Sequence, residues 1–260
     1  MKIFQEFSKC NSMIREGQRF TDKFNIWWYG ITLPFNYCNI LVGGNLKKCL
    51  IRNTYLENKD GIFYCMNDIG FVKTVSETYE PELRKYFDLE GGTFIDVGAN
   101  IGKYSVMVGN KGNKVVSIEP EQNNFNILEK NLKLNNLKNV IPLNLACSNK
   151  NGKVKLYLKE NDCGGNSIKR TFNGDYQEVQ TETLDNISKR YNLKDIKLIK
   201  IDVEGVEFEV IKGASEIISR DKPKIIFECK SNKDYKKIKK HIDFFEYSIK
   251  QLDERNYIAE

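Results

Sequence analysis

Residues 93–105 read TFIDVGANIGKYS. The first six form a short continuous apolar run, the pattern of a strand covered on both faces. Glycines at 98 and 102 let the backbone turn sharply and approach a ligand with no Cβ in the way. A helix starting at Lys103 would offer free N–H groups at that turn. The nicotinamide dinucleotide fingerprint, G-x-G-x-x-G, is not met, because its second and third glycine positions hold Asn100 and Lys103. Asp96, just ahead of the turn, suits a ligand with a positive centre better than a pyrophosphate.

Outward from this stretch, strand and helix signals alternate. Residues 103–110 can form a helix, KVVSIE (114–119) a second strand, and 123–134 a helix with Phe125, Ile127, Leu128, Leu132 and Leu134 mostly at helical spacing. VIPLNLAC (140–147) reads as a third strand and VKLYLK (153–158) as one with an exposed face. After a glycine-rich loop, NDCGGN (161–166), come a strand at 178–184, a helix at 185–191, IKLIKID (196–202) and a helix over 206–220. KIIFEC (224–229), a lysine-rich helix (233–242) and a strand pair at 244–250 and 256–259 close the chain. Such alternation predicts an α/β, doubly wound sheet with its ligand beyond the carboxyl ends of the strands. The residues before Gly91-Gly92 lack it. There KKCLIR (47–52) and GIFYCM (61–66) flank a polar turn at 58–61, a hairpin pattern, with a helical stretch at 80–87. The chain therefore divides into a small N-terminal α+β extension (1–90) and a main domain (91–260).

Two further features carry chemistry. Glu119, followed by Pro120, ends the second strand twenty-three residues after Asp96. A carboxylate there can accept both hydroxyls of a ribose, as an acid at similar spacing does in dinucleotide sites. With the glycine turn, it points to an adenosine-containing cofactor; S-adenosylmethionine adds the positive centre that Asp96 favours. The second feature is KIDVEGVE (200–207), three carboxylates crowded at a strand end. Crowding of that kind is costly unless the acids bind something positive, are spread by the turn, or start a helix at its positive end. Oxygen ligands suit magnesium or calcium, but no matching Asp-rich spacing completes a metal site, and none is expected.

Composition bounds the rest. The 260 residues are 40% hydrophobic and 29% charged, enough to bury a core and inconsistent with wholesale disorder. The net charge is +6, yet eight of the 41 basic residues are Arg, so the guanidinium that reads phosphates and guanines is scarce. Nucleic acid is not the expected partner. Seven scattered cysteines without a CxxC pair, and one histidine, His241, exclude a Cys/His zinc site and read as reduced thiols of a cytoplasmic protein. No apolar leader opens the chain. His241 and the lysines at 233–240 read as a solvated helix surface, with Ile238, Ile242 and Tyr235 as its buried stripe. The segment 25–46 has no charge, but Pro34, three glycines and four asparagines interrupt it as a membrane span. It reads as a buried strand and loop, or as a surface on which Trp27, Trp28 and Tyr29 rest against a membrane.

The ordered elements FIDVGANIGKYS (94–105), SIEPEQNNFNILEKNLKLN (117–135), ACSNKNGKVKLYL (146–158), TETLDNI (181–187), LIKIDVEGVEFEVIKGA (198–214) and PKIIFE (223–228) resemble the FkbM-type methyltransferases. The resemblance implies a Rossmann-like, seven-stranded methyltransferase sheet and S-adenosylmethionine as cofactor. It implies that Asp96, Gly98, Ala99, Asn100 and Gly102 line the methionine end, Glu119 and Pro120 hold the ribose, and Ala146 with Cys147 lie near adenine. Asp202 would stand beside the sulfonium and the acceptor, with Lys200 and Glu204 as neighbours, and Glu77 and Tyr79 would close over the cofactor. The expected reaction is O-methylation of a hydroxyl on a sugar, a glycan or another small molecule. Asp202 is the first candidate base, followed by Glu204 and Glu228. An RNA methyltransferase and a non-catalytic adaptor that keeps the fold are the alternatives.

Overall fold

The computed structural model describes residues 10–28, 53–158 and 176–260. Helical backbone runs over 10–16 (α1) and 20–28 (α2). A hairpin of β1 (Tyr55–Asn58) and β2 (Gly61–Tyr64) turns at Lys59-Asp60, followed by α3 (Ile69–Val75) and a 3-10 helix (Pro81–Phe87). The hairpin turn matches expectation, but its first strand is 55–58; residues 47–52 lie outside the described residues, as does the loop at 161–166. α3 escaped the sequence reading although Asp68 caps it, accepting a hydrogen bond from Gly70 N at 2.6 Å.

The main sheet has seven strands, β3 (Thr93–Val97), β4 (Lys114–Ile118), β5 (Val140–Leu143), β9 (Ile196–Ile201), β10 (Lys224–Glu228), β11 (Ile249–Gln251) and β12 (Asn256–Ala259). Their order across the sheet is β11-β12-β10-β9-β3-β4-β5. The five from β5 to β10 are parallel, and β12 runs antiparallel between β10 and the edge strand β11. A second sheet joins β6 (Ala146–Cys147), β8 (Tyr176–Glu182) and β7 (Gly152–Tyr157) in that order.

Period-two alternation sorts the strands' side chains to two cores. Ile95, Val97, Val116, Ile118, Ile199, Ile201, Ile225 and Phe227 share one cluster with α6 (Leu184–Arg190), α7 (Glu207–Lys212), α8 (Ser215–Asp221) and α9 (Asn232–Asp243). Phe94, Val115, Leu198, Ile226 and Ile258 share the other with α4 (Lys103–Gly109), α5 (Gln122–Leu134) and the N-terminal residues from Cys10 onward. The doubly wound architecture is thus observed, and the extension contributes to a core it shares with the main domain. On α9, Ile238 and Ile242 are fully buried, each contributing about 1.5–3 kcal/mol, while Lys237 and Lys239 pair with Asp234 and Asp243 along the exposed side. His241 lies edge-on to Phe208 and Phe245.

Two expected elements divide. The run 140–147 leaves the main sheet after Leu143, and Ala146–Cys147 pairs with Thr181–Glu182 in the second sheet. Asn144, between them, is committed to the turn after β4, its Nδ2 donating to the carbonyls of Glu119 (2.9 Å) and Pro120 (3.2 Å). The helix over 206–220 breaks at Gly213, where a Cβ would lie 2.2 Å from the Ser148 carbonyl oxygen. Asp185 of α6 restarts it by accepting from Glu216 N and Ile217 N, both at 3.0 Å.

Candidate active site

The same alternation that fills the cores places polar residues at the carboxyl ends of four strands on one face. Asp96 is in register with Ser117 on one side and Lys200 on the other. Ser117 Oγ donates to Ser105 Oγ and Ser105 Oγ to Asp96 Oδ2, both at 2.6 Å, so a buried hydroxyl relay runs beneath α4. Neither serine was singled out in the sequence; the signal was a polar residue at position 117, on the face that Val115 shares with the core. Asp96 Oδ1 is buried with no hydrogen-bond partner among the described residues, and so is Asn100 Oδ1. Burial raises the Asp96 carboxyl above its ordinary value against the pull of Lys200 and Ser105.

The turn 98–102 brings these atoms together. Gly98 N and Ala99 N both donate to Ile118 O at 2.9 Å, which fixes the turn to the end of β4. Gly98 has φ +80°, and a Cβ there would lie 1.8 Å from the Asp202 carbonyl oxygen, so glycine alone fits. Glu119 is buried and accepts from Asn100 N through Oε2 (2.8 Å) and from Glu121 N through Oε1 (2.9 Å). Burial pushes its carboxyl up to about 7 despite those two donors. Each oxygen keeps a lone pair for a further donor. Pro120 O accepts from Gln177 Nε2 at 2.7 Å as well as from Asn144, so the second sheet braces this turn. Ala146 and Cys147 are buried within that second sheet; they do not end the third main-sheet strand, and Leu143 does.

The other half of the cleft stands on β9 and β10. Lys200 is buried and donates to Asp202 Oδ2 at 3.1 Å, with its ammonium 4.9 Å from the centre of the Tyr104 ring. Burial works to lower the Lys200 ammonium, but Asp202, Glu80 and Asp96 hold it above its ordinary value. Burial likewise works to raise Asp202, and Lys200 overrides it, keeping the carboxyl below the usual range. Asp202 is in side-chain contact with Glu228, which burial and the Asp202 charge push up to about 7. Glu204, with φ +55°, turns its carboxylate to Lys230 Nζ (2.7 Å), which also reaches Glu228 (3.2 Å). Oxygens of Asp202, Glu204 and Glu228 lie within 4.8 Å of one another. No spacing in the sequence announced Glu228 as the third member of that group, and its three charges face Lys200, Lys230 and Arg255.

Residues 76–80 cross above the strand ends. Lys103 Nζ donates to Tyr79 O (2.7 Å) and Ser76 O (3.5 Å) and lies 4.6 Å from the Tyr79 ring centre. Burial pulls that ammonium down to about 7. Glu80, which the sequence reading missed, accepts from Tyr104 Oη and from Asn256 Nδ2 (3.4 Å). Tyr79 is half exposed and feels the charges of Asp202, Lys200 and Glu228. Glu77 does not join it: its carboxylate pairs with Lys59 Nζ at 3.1 Å, at the hairpin turn.

A model of the methyltransferase FkbM domain matches residues 96–258. The chain belongs to the FkbM methyltransferase family. It is 27% identical to the methyltransferase sdnD of Sordaria araneosa, over 59% of this chain and 73% of that protein. It is 24% identical to the hexuronic acid methyltransferase AglP of Haloferax volcanii, over 57% of this chain and 67% of that protein. The crystal structure of the FkbM methyltransferase from Methylobacillus flagellatus shares the fold, with a TM-score of 0.50 and 20% identity over 67% of this chain. The FkbM chain described here spans about half, 48%, of that structure. The matched residues start at Asp96 and include Glu119, Lys200, Asp202 and Glu228.

Proposed function

We propose that this FkbM protein transfers a methyl group from S-adenosylmethionine to a hydroxyl of a sugar or other small acceptor. The observation that carries the reading is that two of the three buried side-chain oxygens without a donor among the described residues, Asp96 Oδ1 and Asn100 Oδ1 (the third is Asn113 Oδ1), belong to the turn that Glu119, with its spare lone pairs, holds in place. Unsatisfied buried acceptors are costly, and a cofactor with an ammonium and two ribose hydroxyls supplies the missing donors. Asp96 and Asn100 would take the ammonium and Glu119 the ribose. Bound there, S-adenosylmethionine supplies an electrophilic methyl whose sulfonium leaves as a neutral thioether.

The chain's own groups then have two tasks. Asp96, Asn100 and Glu119 orient the donor so that the acceptor oxygen can approach in line, the main source of acceleration in such a displacement. The acceptor hydroxyl must lose its proton as the new C–O bond forms. Asp202, held low by Lys200, is a weak base; Glu228, raised to about 7, is matched to neutral pH. Glu228 therefore accepts the proton, and Asp202, fixed by Lys200, orients it. The hexuronic acid methyltransferase among the relatives makes uronic sugars the first acceptors to screen.

Calorimetric titration with S-adenosylmethionine and separately with NAD tests the cofactor. Binding of the first alone, weakened roughly 10- to 100-fold in Glu119→Ala, supports the reading. Absence of S-adenosylmethionine binding overturns it.

A further inference from the structure

α2 presents its two sides in an unusual way. Asp22 and Ile26, four residues apart, are fully buried, and Asp22 ties the helix to the hairpin by accepting from Tyr55 N (3.0 Å) and from the Arg19 guanidinium (2.8 Å). Phe20, Phe24, Trp27 and Trp28 fall on the opposite side within an arc about 100° wide. They are 84%, 49%, 47% and 40% exposed. Three of the rings are in contact, with Phe24 5.7 Å from Trp27 and 6.3 Å from Trp28.

The charges beside the patch have one sign. Arg15, Arg19 and Lys23 are exposed, whereas both acids of the 10–28 stretch, Glu16 and Asp22, are buried. Arg19 lies over the Tyr55 ring, where Lys130 of α5 joins it. In the sequence, no charged residue follows Trp28 until Lys47. Self-association through this face would bring the exposed Arg15 and Lys23 of two copies together with no exposed acid of the 10–28 stretch to meet them, an unfavourable juxtaposition. An anionic bilayer offers the opposite: an apolar boundary at the depth where Trp and Phe partition, beneath a layer of phosphates.

We propose that α2 docks on an anionic phospholipid surface, with Phe20, Phe24, Trp27 and Trp28 at the acyl boundary and Lys23 on the headgroups. The docking stands apart from the methyl-transfer reading, since none of these side chains belongs to the cleft.

Trp27 and Trp28 are the two tryptophans of the chain, so intrinsic emission reports on this face alone. The full chain would be mixed at low salt with vesicles of phosphatidylcholine, or of phosphatidylcholine and phosphatidylglycerol at a ratio of about three to one, sufficient to set a negative surface potential. The expected result is a blue shift, quenching by brominated acyl chains, and co-sedimentation with the anionic vesicles. Phe20→Ser with Phe24→Ser keeps both reporters and should weaken partitioning about tenfold or more. Lys23→Glu should weaken it about fivefold on the anionic vesicles and little on the neutral ones. Unchanged circular dichroism in both variants separates lost docking from lost fold. No emission shift and no sedimentation with anionic vesicles overturns the proposal. So does binding that survives the double Phe substitution, or concentration-dependent dimerisation abolished by it in the absence of vesicle binding.

Discussion

The two halves of the cleft hold their carboxylates by different means. On β3 and β4, Asp96 and Glu119 lean on neutral donors, a serine hydroxyl and two backbone N–H groups, and both are raised by burial. On β9 and β10, Asp202, Glu204 and Glu228 stand beside Lys200 and Lys230. The first half is under-satisfied and suits a ligand that brings its own positive charge and donors. The second is already compensated, which leaves one of its acids, Glu228, free to trade a proton near neutral pH.

The largest effect that could break this contrast is on turnover. Glu228→Gln should lower kcat/KM roughly 10²- to 10⁴-fold while calorimetry finds S-adenosylmethionine affinity preserved. In the unaltered protein kcat/KM should rise as pH passes through about 7, because only the ionised Glu228 accepts a proton; the variant should lack that inflection. If Asp202→Asn abolishes the inflection and Glu228→Gln keeps it, the roles are reversed.

Next comes Lys200→Met, which strands Asp202 without the cation that pairs with it. Urea denaturation should register a loss of roughly 3 kcal/mol, the lower end for a broken buried pair because Asp202 is 34% exposed. A loss near zero would put the two halves on the same footing.

The β3–β4 half is tested by proton release. Donors from a ribose favour ionised Glu119, so binding at pH 7 should release a fraction of a proton, seen as a dependence of the binding enthalpy on the buffer's ionisation enthalpy. That dependence should vanish at pH 9. The same group makes free-protein stability pH-dependent. Its folded value of about 7 exceeds the ordinary 4.5, so the contribution is full below 4.5 and is lost as pH rises through about 7. Saturating S-adenosylmethionine should flatten the decline measured by denaturation across that window.

The smallest effect expected is from Ser105→Ala. It removes one neutral donor from Asp96 and should cost about 1–2 kcal/mol, with cofactor affinity changed less than by Glu119→Ala. An equal or greater loss of affinity would make the serine relay part of the ligand site.

Much of this was legible in order along the chain. DVGANIG after an apolar run, and Glu119 at the next strand's end, marked the β3–β4 half of the cleft because its residues sit at a fixed point in a βαβ unit. The β9–β10 half was legible only in pieces. KIDVEGVE showed crowded acids, but which of them is restrained depends on Lys200 beneath and on Glu228 from the neighbouring strand. Glu77 and Tyr79, two residues apart, read alike, yet hairpin Lys59 draws one away while Lys103 holds the other in place. The run 140–147 and the helix over 206–220 read as single elements because periodicity is blind to what a chain meets across space. Asn144 bonding to Glu119 and Pro120, and the Ser148 carbonyl against Gly213, divide them.

Local pattern alone determined the strand–helix alternation, the glycine turn and the acid at the second strand's end, since strand period, turn geometry and the reach of a βαβ unit are short-range properties. Tertiary structure decided which carboxylates are paired, which buried oxygens lack a donor and which aromatic residues of α2 face outward. Those outcomes depend on burial and on charges that lie tens of residues away in sequence and a few ångströms away in space.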